Sequence, residues 1–151
     1  MGIRQLDHYS VRTADLARAI RFYEDALGFH SGPRPPFNFP GAWMYTAPQM
    51  GESGESEGRP IVHLIGDDGA HGGNTTGALD HIAFAASGVK ELHARLERHG
   101  LAFRERKVPN LGLHQVFVKD PDGVTIELNY ADAADIAAGQ HSLDRRSAQA
   151  G

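Results

Sequence analysis

The sequence predicts an α+β protein made of two tandem βαβββ modules that carry their helices on the outside. The leading observation is a strand that occurs twice, since residues 6–11 (LDHYSV) return as residues 79–84 (LDHIAF). Both copies alternate apolar and polar side chains, as a half-buried strand does. Each copy is followed by a helical pattern and by three further strand-like segments. Because neither half can bury its sheet alone, the two sheets are expected to pair edge to edge or to curl towards each other.

The first module begins with the strand at 6–11, and Thr13 or Asp15 can cap the helix that follows. The apolar residues of this helix recur at helical spacing before a stop at Gly28: Leu16, Ile20, Tyr23 and Leu27. Three strands are predicted after the helix, at 29–34, 42–47 and 61–65. The polar stretch 51–58 (GESGESEG) predicts the hairpin loop that joins the last two strands.

The second module repeats this order. Ser87 is a plausible cap for a helix that ends at Gly100 and has an apolar stripe of three residues: Val89, Leu92 and Leu96. Strands are predicted before this helix at 79–85 and after it at 101–106, 113–119 and 124–130. The sequence Asp-Pro-Asp-Gly at 120–123 predicts a tight turn between the last two strands.

These patterns predict four regions. Residues 1–66 form the first module, 67–77 a glycine-rich linker, 78–131 the second module and 132–151 a C-terminal tail. The tail is rich in alanine and is expected to start a short helix that frays by Ser142.

Composition excludes several classes of protein. A formal net charge of −4 argues against a nucleic-acid partner, and no apolar run approaches the ~20 residues that cross a bilayer. The N-terminus lacks a secretory pattern, so a cytoplasmic location is the default expectation. The chain has nine histidines and no cysteine. Any metal site would therefore use imidazole and carboxylate ligands, which suit Zn, Ni, Fe, Mn or Co.

Four side chains with metal-ligand chemistry occupy matching strand positions in the two modules. His8 and His81 are central in the two copies of the repeated strand, and His63 and Glu127 are central in the last strand of each module. A buried carboxylate needs a partner, because an unpaired charge there costs several kcal/mol. A divalent cation is one such partner, at about 2.0 to 2.2 Å if the metal is zinc. The opposing interpretation is a remnant site in a metal-free binding protein.

Three segments resemble the vicinal oxygen chelate superfamily: 6–29 (LDHYSVRTADLARAIRFYEDALGF), 79–84 (LDHIAF) and 115–130 (QVFVKDPDGVTIELNY). This group includes glyoxalase I, methylmalonyl-CoA epimerase, fosfomycin-resistance proteins and extradiol dioxygenases. The resemblance implies a cupped, partly open mixed sheet around the site and, since many relatives pair, a homodimer. It places His8, His81 and Glu127 on the metal positions. His63 falls on a fourth position, which is glutamate or glutamine in the glyoxalase and epimerase branches, so whether it binds the metal directly stays open.

The resemblance implies a divalent-metal-dependent lyase or isomerase that acts on a small substrate with vicinal oxygens. The metal would stabilise an enediolate-like intermediate, and Glu127 or His63 would move the proton. One alternative is an Fe(II) extradiol ring-cleaving dioxygenase. Phe117 disfavours it, because those enzymes typically have tyrosine at that position, whereas they do carry an acid–base histidine on the strand of His63. The other alternative is a metal-free, resistance-type binding protein.

Three residues are candidates for substrate binding: Trp43, His114 and Phe117. Trp43 lies in an aromatic strand and could line a pocket, although sheet core is an equal expectation. His114 could face the cavity as an acid–base or substrate-binding group, or lie at an exposed strand end. His93 and His99 fall on the second helix and are expected to be in solvent.

Overall fold

A computed structural model describes residues 6–46, 58–66, 76, 79–108 and 112–149, with side chains through Arg145. The chain divides into two compact units, Met1–Asn74 and Thr75–Gly151. Each unit contains one four-stranded sheet, so the predicted α+β class with two βαβββ modules is confirmed. No helix among the described residues combines the length and the apolar character needed to cross a membrane.

Unit 1 forms its sheet in the order β1-β4-β3-β2. Strands β1 and β4 are parallel, and the other pairs are antiparallel. The helix after β1 begins as α1 and continues as a π-helical segment. The elements in chain order are β1 (Tyr9–Thr13), α1 (Leu16–Arg21), the π-helical segment (Phe22–Ala26), β2 (His30–Gly32), β3 (Gly41–Tyr45) and β4 (Pro60–Gly66).

Unit 2 repeats this topology in the order β5-β8-β7-β6, again with the first and last strands parallel. A third helix follows the last strand. The elements are β5 (Ile82–Ala86), α2 (Val89–Arg98), β6 (Phe103–Val108), β7 (Leu113–Lys119), β8 (Thr125–Tyr130) and α3 (Ala133–Gln149).

Strand alternation gives each sheet one face that packs into a core and one that carries the polar candidates. In unit 1, Val62 and Leu64 are fully buried, whereas the intervening His63 pairs with Trp43 on the opposite face. In unit 2, Val116 and Ile126 are fully buried, whereas Glu127 pairs with Phe117 on the opposite face. We call these the His63 face and the Glu127 face, and the buried side of unit 2 its helix-covered face.

Helix caps follow the sequence in α1 but not in α2. The Asp15 carboxylate accepts a hydrogen bond from the Arg18 amide at 2.9 Å, as a capping residue does. The Ser87 cap is wrong, because α2 starts from Gly88 in a left-handed conformation (φ 79°). Its first amides, those of Gly88 and Val89, donate to the Asp135 carboxylate of α3 at 2.9 and 2.8 Å.

The C-terminal tail is more ordered than predicted. Helix α3 continues to Gln149, so fraying by Ser142 is wrong. Ser142 is buried, and its hydroxyl donates to Glu105 Oε1 of β6 at 2.6 Å. The predicted hairpin loop at 51–58 and the linker at 67–77 lie outside the described residues except for Gly58 and Thr76.

Candidate functional site

His81 and Glu127 meet on the Glu127 face of unit 2. The strand register places Ala83 beside Glu127, and His81, two residues earlier, projects from the same face. His81 Nε2 lies 3.2 Å from Glu127 Oε2. Glu127 is only 5% exposed, so His81 supplies the partner that a buried carboxylate needs.

The other atoms of this pair are held by neighbouring groups. His81 Nδ1 lies 2.6 Å from Asp80 Oδ1, and this contact lowers the pKa of Asp80. Glu127 Oε1 accepts hydrogen bonds from Gln115 Nε2 at 2.7 Å and from Asn129 Nδ2 at 2.8 Å. These contacts leave His81 Nε2 and Glu127 Oε2 directed at each other. Carboxylate–histidine contacts of this kind orient the ligands of metal sites.

The pair fits a shared divalent ion. Two ligands that each lie about 2.1 Å from one metal are roughly 3.0 to 3.4 Å apart, and the measured separation of His81 Nε2 from Glu127 Oε2 is 3.2 Å. One nitrogen and one oxygen donor are also a set that binds Zn, Ni, Co, Mn or Fe(II).

Unit 1 repeats the Asp–His contact of the duplicated strand. His8 Nδ1 lies 2.7 Å from Asp7 Oδ2, as His81 Nδ1 lies beside Asp80. The contact with His8 lowers the pKa of Asp7. Each copy of the Leu-Asp-His motif therefore holds its imidazole through Nδ1 and leaves Nε2 as the donor that could take a metal.

Three rings are stacked on the His63 face of unit 1. The ring centroids of His8 and His63 are 3.9 Å apart, and Trp43 stacks on the other side of His63 at 4.4 Å. His63 Nε2 contacts the Pro60 carbonyl oxygen at 3.1 Å. Burial and the neighbouring His8 lower the pKa of His63. The neutral imidazole that results is the form that binds metal or accepts a proton.

Phe117 lies on the Glu127 face, edge-on to His81 with ring centroids 6.3 Å apart. The guanidinium carbons of Arg104 and Arg106 lie 4.6 and 5.3 Å from its ring centroid. A cavity of about 300 Å³ adjoins this ring, and Arg104, Lys119 and Thr125 also line it. The face therefore combines an aromatic surface with positive charge next to the His81–Glu127 pair.

His114 does not lie with Glu127 and Phe117. It alternates with Gln115 on β7, so it projects from the helix-covered face, where it is 1% exposed and contacts Glu105. The expectation that His93 is in solvent is wrong, because it is 8% exposed and its Nε2 lies 2.9 Å from Glu105 Oε2.

Sequence reasoning missed the groups that orient Glu127. Gln115 and Asn129 hold its Oε1, and Arg106 Nε donates in turn to Gln115 Oε1 at 2.7 Å. The role of Asn129 could have been predicted from the sequence, since Asn129 follows Glu127 by two residues and so lies on the same face of the strand. Gln115 becomes visible only once the register pairs it with Asn129.

Comparison with known proteins gives the family. Residues 5–128 match the model of the Glyoxalase/Bleomycin resistance protein/Dioxygenase superfamily. A probable lactoylglutathione lyase of Vibrio cholerae is 30% identical over 133 residues, which cover 85% of this chain and 91% of that protein. The trypanothione-dependent glyoxalase I of Leishmania major has a TM-score of 0.60 at 24% identity and matches 99% of this chain and 100% of its own.

An antibiotic-binding protein is about as similar as these enzymes. TnmS3 of Streptomyces sp. CB03234 has a TM-score of 0.57 at 25% identity over 87% of this chain and 99% of its own. The repeated modules, the resemblance of the three segments and the family match agree. The chain belongs to the glyoxalase/bleomycin resistance protein/dioxygenase superfamily.

Proposed function

We propose that this protein is a divalent-metal-dependent enzyme of the glyoxalase type, a lyase or isomerase that binds a small substrate through vicinal oxygens. The observation that carries the proposal is the 3.2 Å approach of His81 Nε2 to Glu127 Oε2, with the remaining polar atoms of both side chains held by other groups. The relatives named lactoylglutathione lyase support a glyoxalase-type reaction.

His81 and Glu127 are the proposed ligands from unit 2, and His8, its counterpart in the repeat, is the proposed ligand from unit 1. A divalent ion held by these residues would supply Lewis-acid stabilisation of negative charge on the substrate oxygens. Zn, Ni, Co, Mn and Fe(II) all suit these donors. His63 is the fourth proposed donor, and the same residue or Glu127 is the proposed base.

His63 suits the role of base because its pKa is lowered, so the imidazole is neutral near neutral pH and can accept a proton. Glu127 is more restrained, since Gln115 and Asn129 hold its Oε1. Trp43 and Phe117 are the proposed aromatic contacts of the substrate. The net charge of −4 and the family favour a small-molecule partner over nucleic acid or membrane, and we extend the proposal to a cytoplasmic homodimer.

The experiment is metal analysis of anaerobically purified protein, followed by reloading with each candidate metal. Loaded protein is assayed with the hemithioacetal of methylglyoxal and glutathione in D₂O, where proton exchange next to the carbonyl is followed by NMR. His81→Ala and Glu127→Gln are expected to lower metal affinity and exchange rate about 100-fold or more, the loss of roughly 3 kcal/mol of binding. The exposed His99→Ala is the matched control and is expected to behave as the unmodified protein.

Two outcomes would replace the proposal. Selective retention of Fe(II), with oxygen uptake on catechols, would indicate the ring-cleaving dioxygenase. Absence of bound metal, with unchanged stability in His8→Ala and Glu127→Ala, would indicate a binding protein of the kind that TnmS3 represents.

A further inference from the structure

A second group of ligand-type side chains lies on the helix-covered face of unit 2. His93 comes from α2, Glu105 from β6 and His114 from β7, and one ligand atom of each lies within 4.8 Å of the others. Glu105 pairs with Val116, which belongs to the core, so this cluster is separated from the His81–Glu127 pair by the sheet itself. None of these three residues is among the metal ligands predicted from the repeated strands, which are His8, His63, His81 and Glu127.

Both imidazoles converge on one oxygen of Glu105. His93 Nε2 lies 2.9 Å and His114 Nε2 lies 3.0 Å from Glu105 Oε2. Glu105 Oε1 accepts the hydrogen bond from the Ser142 hydroxyl. Burial raises the pKa of Glu105, but its contacts with His93, Ser142 and His114 outweigh burial and bring the pKa to about 2. The cluster therefore contains a carboxylate anion at neutral pH.

One atom of the cluster is left without a proper partner. His93 Nε2 is completely buried, and among the described residues no group makes a hydrogen bond of good geometry with it, despite its short distance from Glu105. A buried polar atom that lacks a hydrogen bond costs about 1 to 3 kcal/mol. Donation of the nitrogen lone pair to a cation would remove this cost.

Helix α3 leaves room for the His114 ring. A Cβ atom added to Gly139 of α3 would lie within contact range of the His114 ring, only 2.4 Å from its nearest atoms. Glycine at this position therefore gives His114 the space it occupies. Two ligands on a tetrahedral zinc ion are roughly 3.4 Å apart. Each imidazole nitrogen would need to move only a few tenths of an ångström away from Glu105 Oε2, from 2.9 and 3.0 Å, to share an ion with it.

We propose that His93, Glu105 and His114 bind one divalent metal ion of the zinc class at a buried structural site that fastens α2 to the sheet of unit 2. Two imidazoles and one carboxylate are donors that zinc accepts. The ion would take the place of the two direct imidazole contacts with Glu105 Oε2. It would also coordinate the buried His93 Nε2. This site does not depend on the proposed catalytic function, because it shares no residue with it.

The test measures zinc stoichiometry by dialysis against zinc followed by elemental analysis. The His81→Ala, Glu127→Ala double variant removes two donors of the other face and is expected to retain one tightly bound zinc per chain. Adding His93→Gln or His114→Gln is expected to abolish that zinc, whereas adding His99→Gln, an exposed histidine at the end of the same helix, leaves it in place. Equal zinc retention with and without His93→Gln would overturn the proposal.

A second measurement covers the case in which the His93 variants fail to fold. Cobalt(II) is added to the folded double variant, and the visible absorption of the protein is recorded. A tetrahedral site with two imidazoles is expected to give an intense d–d band at one equivalent of cobalt. Absence of this band together with absence of bound zinc would show that the cluster is a hydrogen-bonded ion cluster without metal. Because the double variant lacks His81 and Glu127, these results test the His93–Glu105–His114 site separately from the His81–Glu127 site.

Discussion

Glu127 illustrates, at the scale of one residue, how a single side chain acquires a defined role. Its strand position places it on one face of the sheet, but the direction of its carboxylate is set by Gln115 and Asn129. The candidate ligands were predictable because the Leu-Asp-His motif occurs twice. The orienting groups were not, because a hydrogen bond between β7 and β8 requires a register that alternation alone does not determine.

Replacing Gln115 tests whether orientation of Glu127 matters for metal binding. Gln115→Leu is expected to lower the affinity for the divalent metal about 10- to 100-fold, because Glu127 Oε1 loses a donor and the carboxylate can rotate. Isothermal titration calorimetry with the preferred metal measures the change. Lys119→Leu, an exposed position on the same strand and face, is the control. Equal affinity in both variants would contradict the role of Gln115.

The raised pKa of Tyr130 predicts that the protein becomes less stable at alkaline pH. Burial, and then the nearby Asp135 carboxylate, raise the pKa of its phenol. Below pH about 9 the phenol is protonated in both folded and unfolded chains. Above that value the unfolded chain loses this proton first, so the free energy of unfolding falls as the pH rises. Urea unfolding at pH 9 and 11 should show a smaller fall in Tyr130→Phe than in the unmodified protein, and an equal fall would refute the assignment.

At the scale of elements, alternation and spacing predicted the strands, because each sheet has one buried face. The position of His93 carried a signal too, since it follows Val89 by four residues and precedes Leu96 by three and so lies on the buried stripe of α2. Helix α3 was underestimated for a physical reason. Its order comes from contacts with β6 and β7, such as the Ser142–Glu105 hydrogen bond, and not from local propensity.

Removing the cap that Asp135 of α3 provides for α2 should measurably lower stability. Asp135→Ala is expected to lower the free energy of unfolding by about 1 to 2 kcal/mol, because the Gly88 and Val89 amides lose their acceptor. Urea denaturation measures this change. Asp135→Asn keeps one acceptor oxygen and should fall between the two proteins. A loss below about 0.3 kcal/mol in the alanine variant would mean that water replaces the cap.

Replacing Gly139 by alanine should change stability in the opposite direction from that expected for most glycines in a helix. In an open helix, replacing glycine by alanine stabilises by about 1 kcal/mol. Gly139→Ala is expected instead to destabilise by about 1 to 3 kcal/mol, because the added methyl group overlaps the His114 ring. Thermal and urea unfolding measure the difference, and Ala137→Gly, at an exposed position of α3, calibrates the propensity term. Stabilisation by Gly139→Ala would show that His114 moves aside freely.

The whole molecule consists of two units with the same strand order, and each has a core of its own. This organisation was predictable because the repeat is visible in the sequence. The reaction was not, since one family contains lyases, dioxygenases and antibiotic-binding proteins on the same scaffold.

Metal binding should stabilise the folded chain by an amount that rises with the logarithm of the free metal concentration relative to the dissociation constant. At a free metal concentration 100 times the dissociation constant, the free energy of unfolding is expected to rise by about 2.7 kcal/mol for each site occupied. Urea unfolding after chelation and after reloading measures this rise. The variant that lacks both His81 and Glu127 side chains should lose the contribution of its own site only. No change on reloading in the unmodified protein would contradict metal binding altogether.

The paired Asp7–His8 and Asp80–His81 contacts have a consequence for how the two halves can evolve. An ancestral half-length chain that assembled as two identical copies would have had to carry the same residue at every equivalent position. Fusion into one polypeptide removes that constraint. The equivalent positions in β4 and β8 now hold His63 and Glu127, an imidazole and a carboxylate. Both copies of the repeated strand contain the paired histidine, whereas the strands beside them differ in charge and in the type of metal ligand.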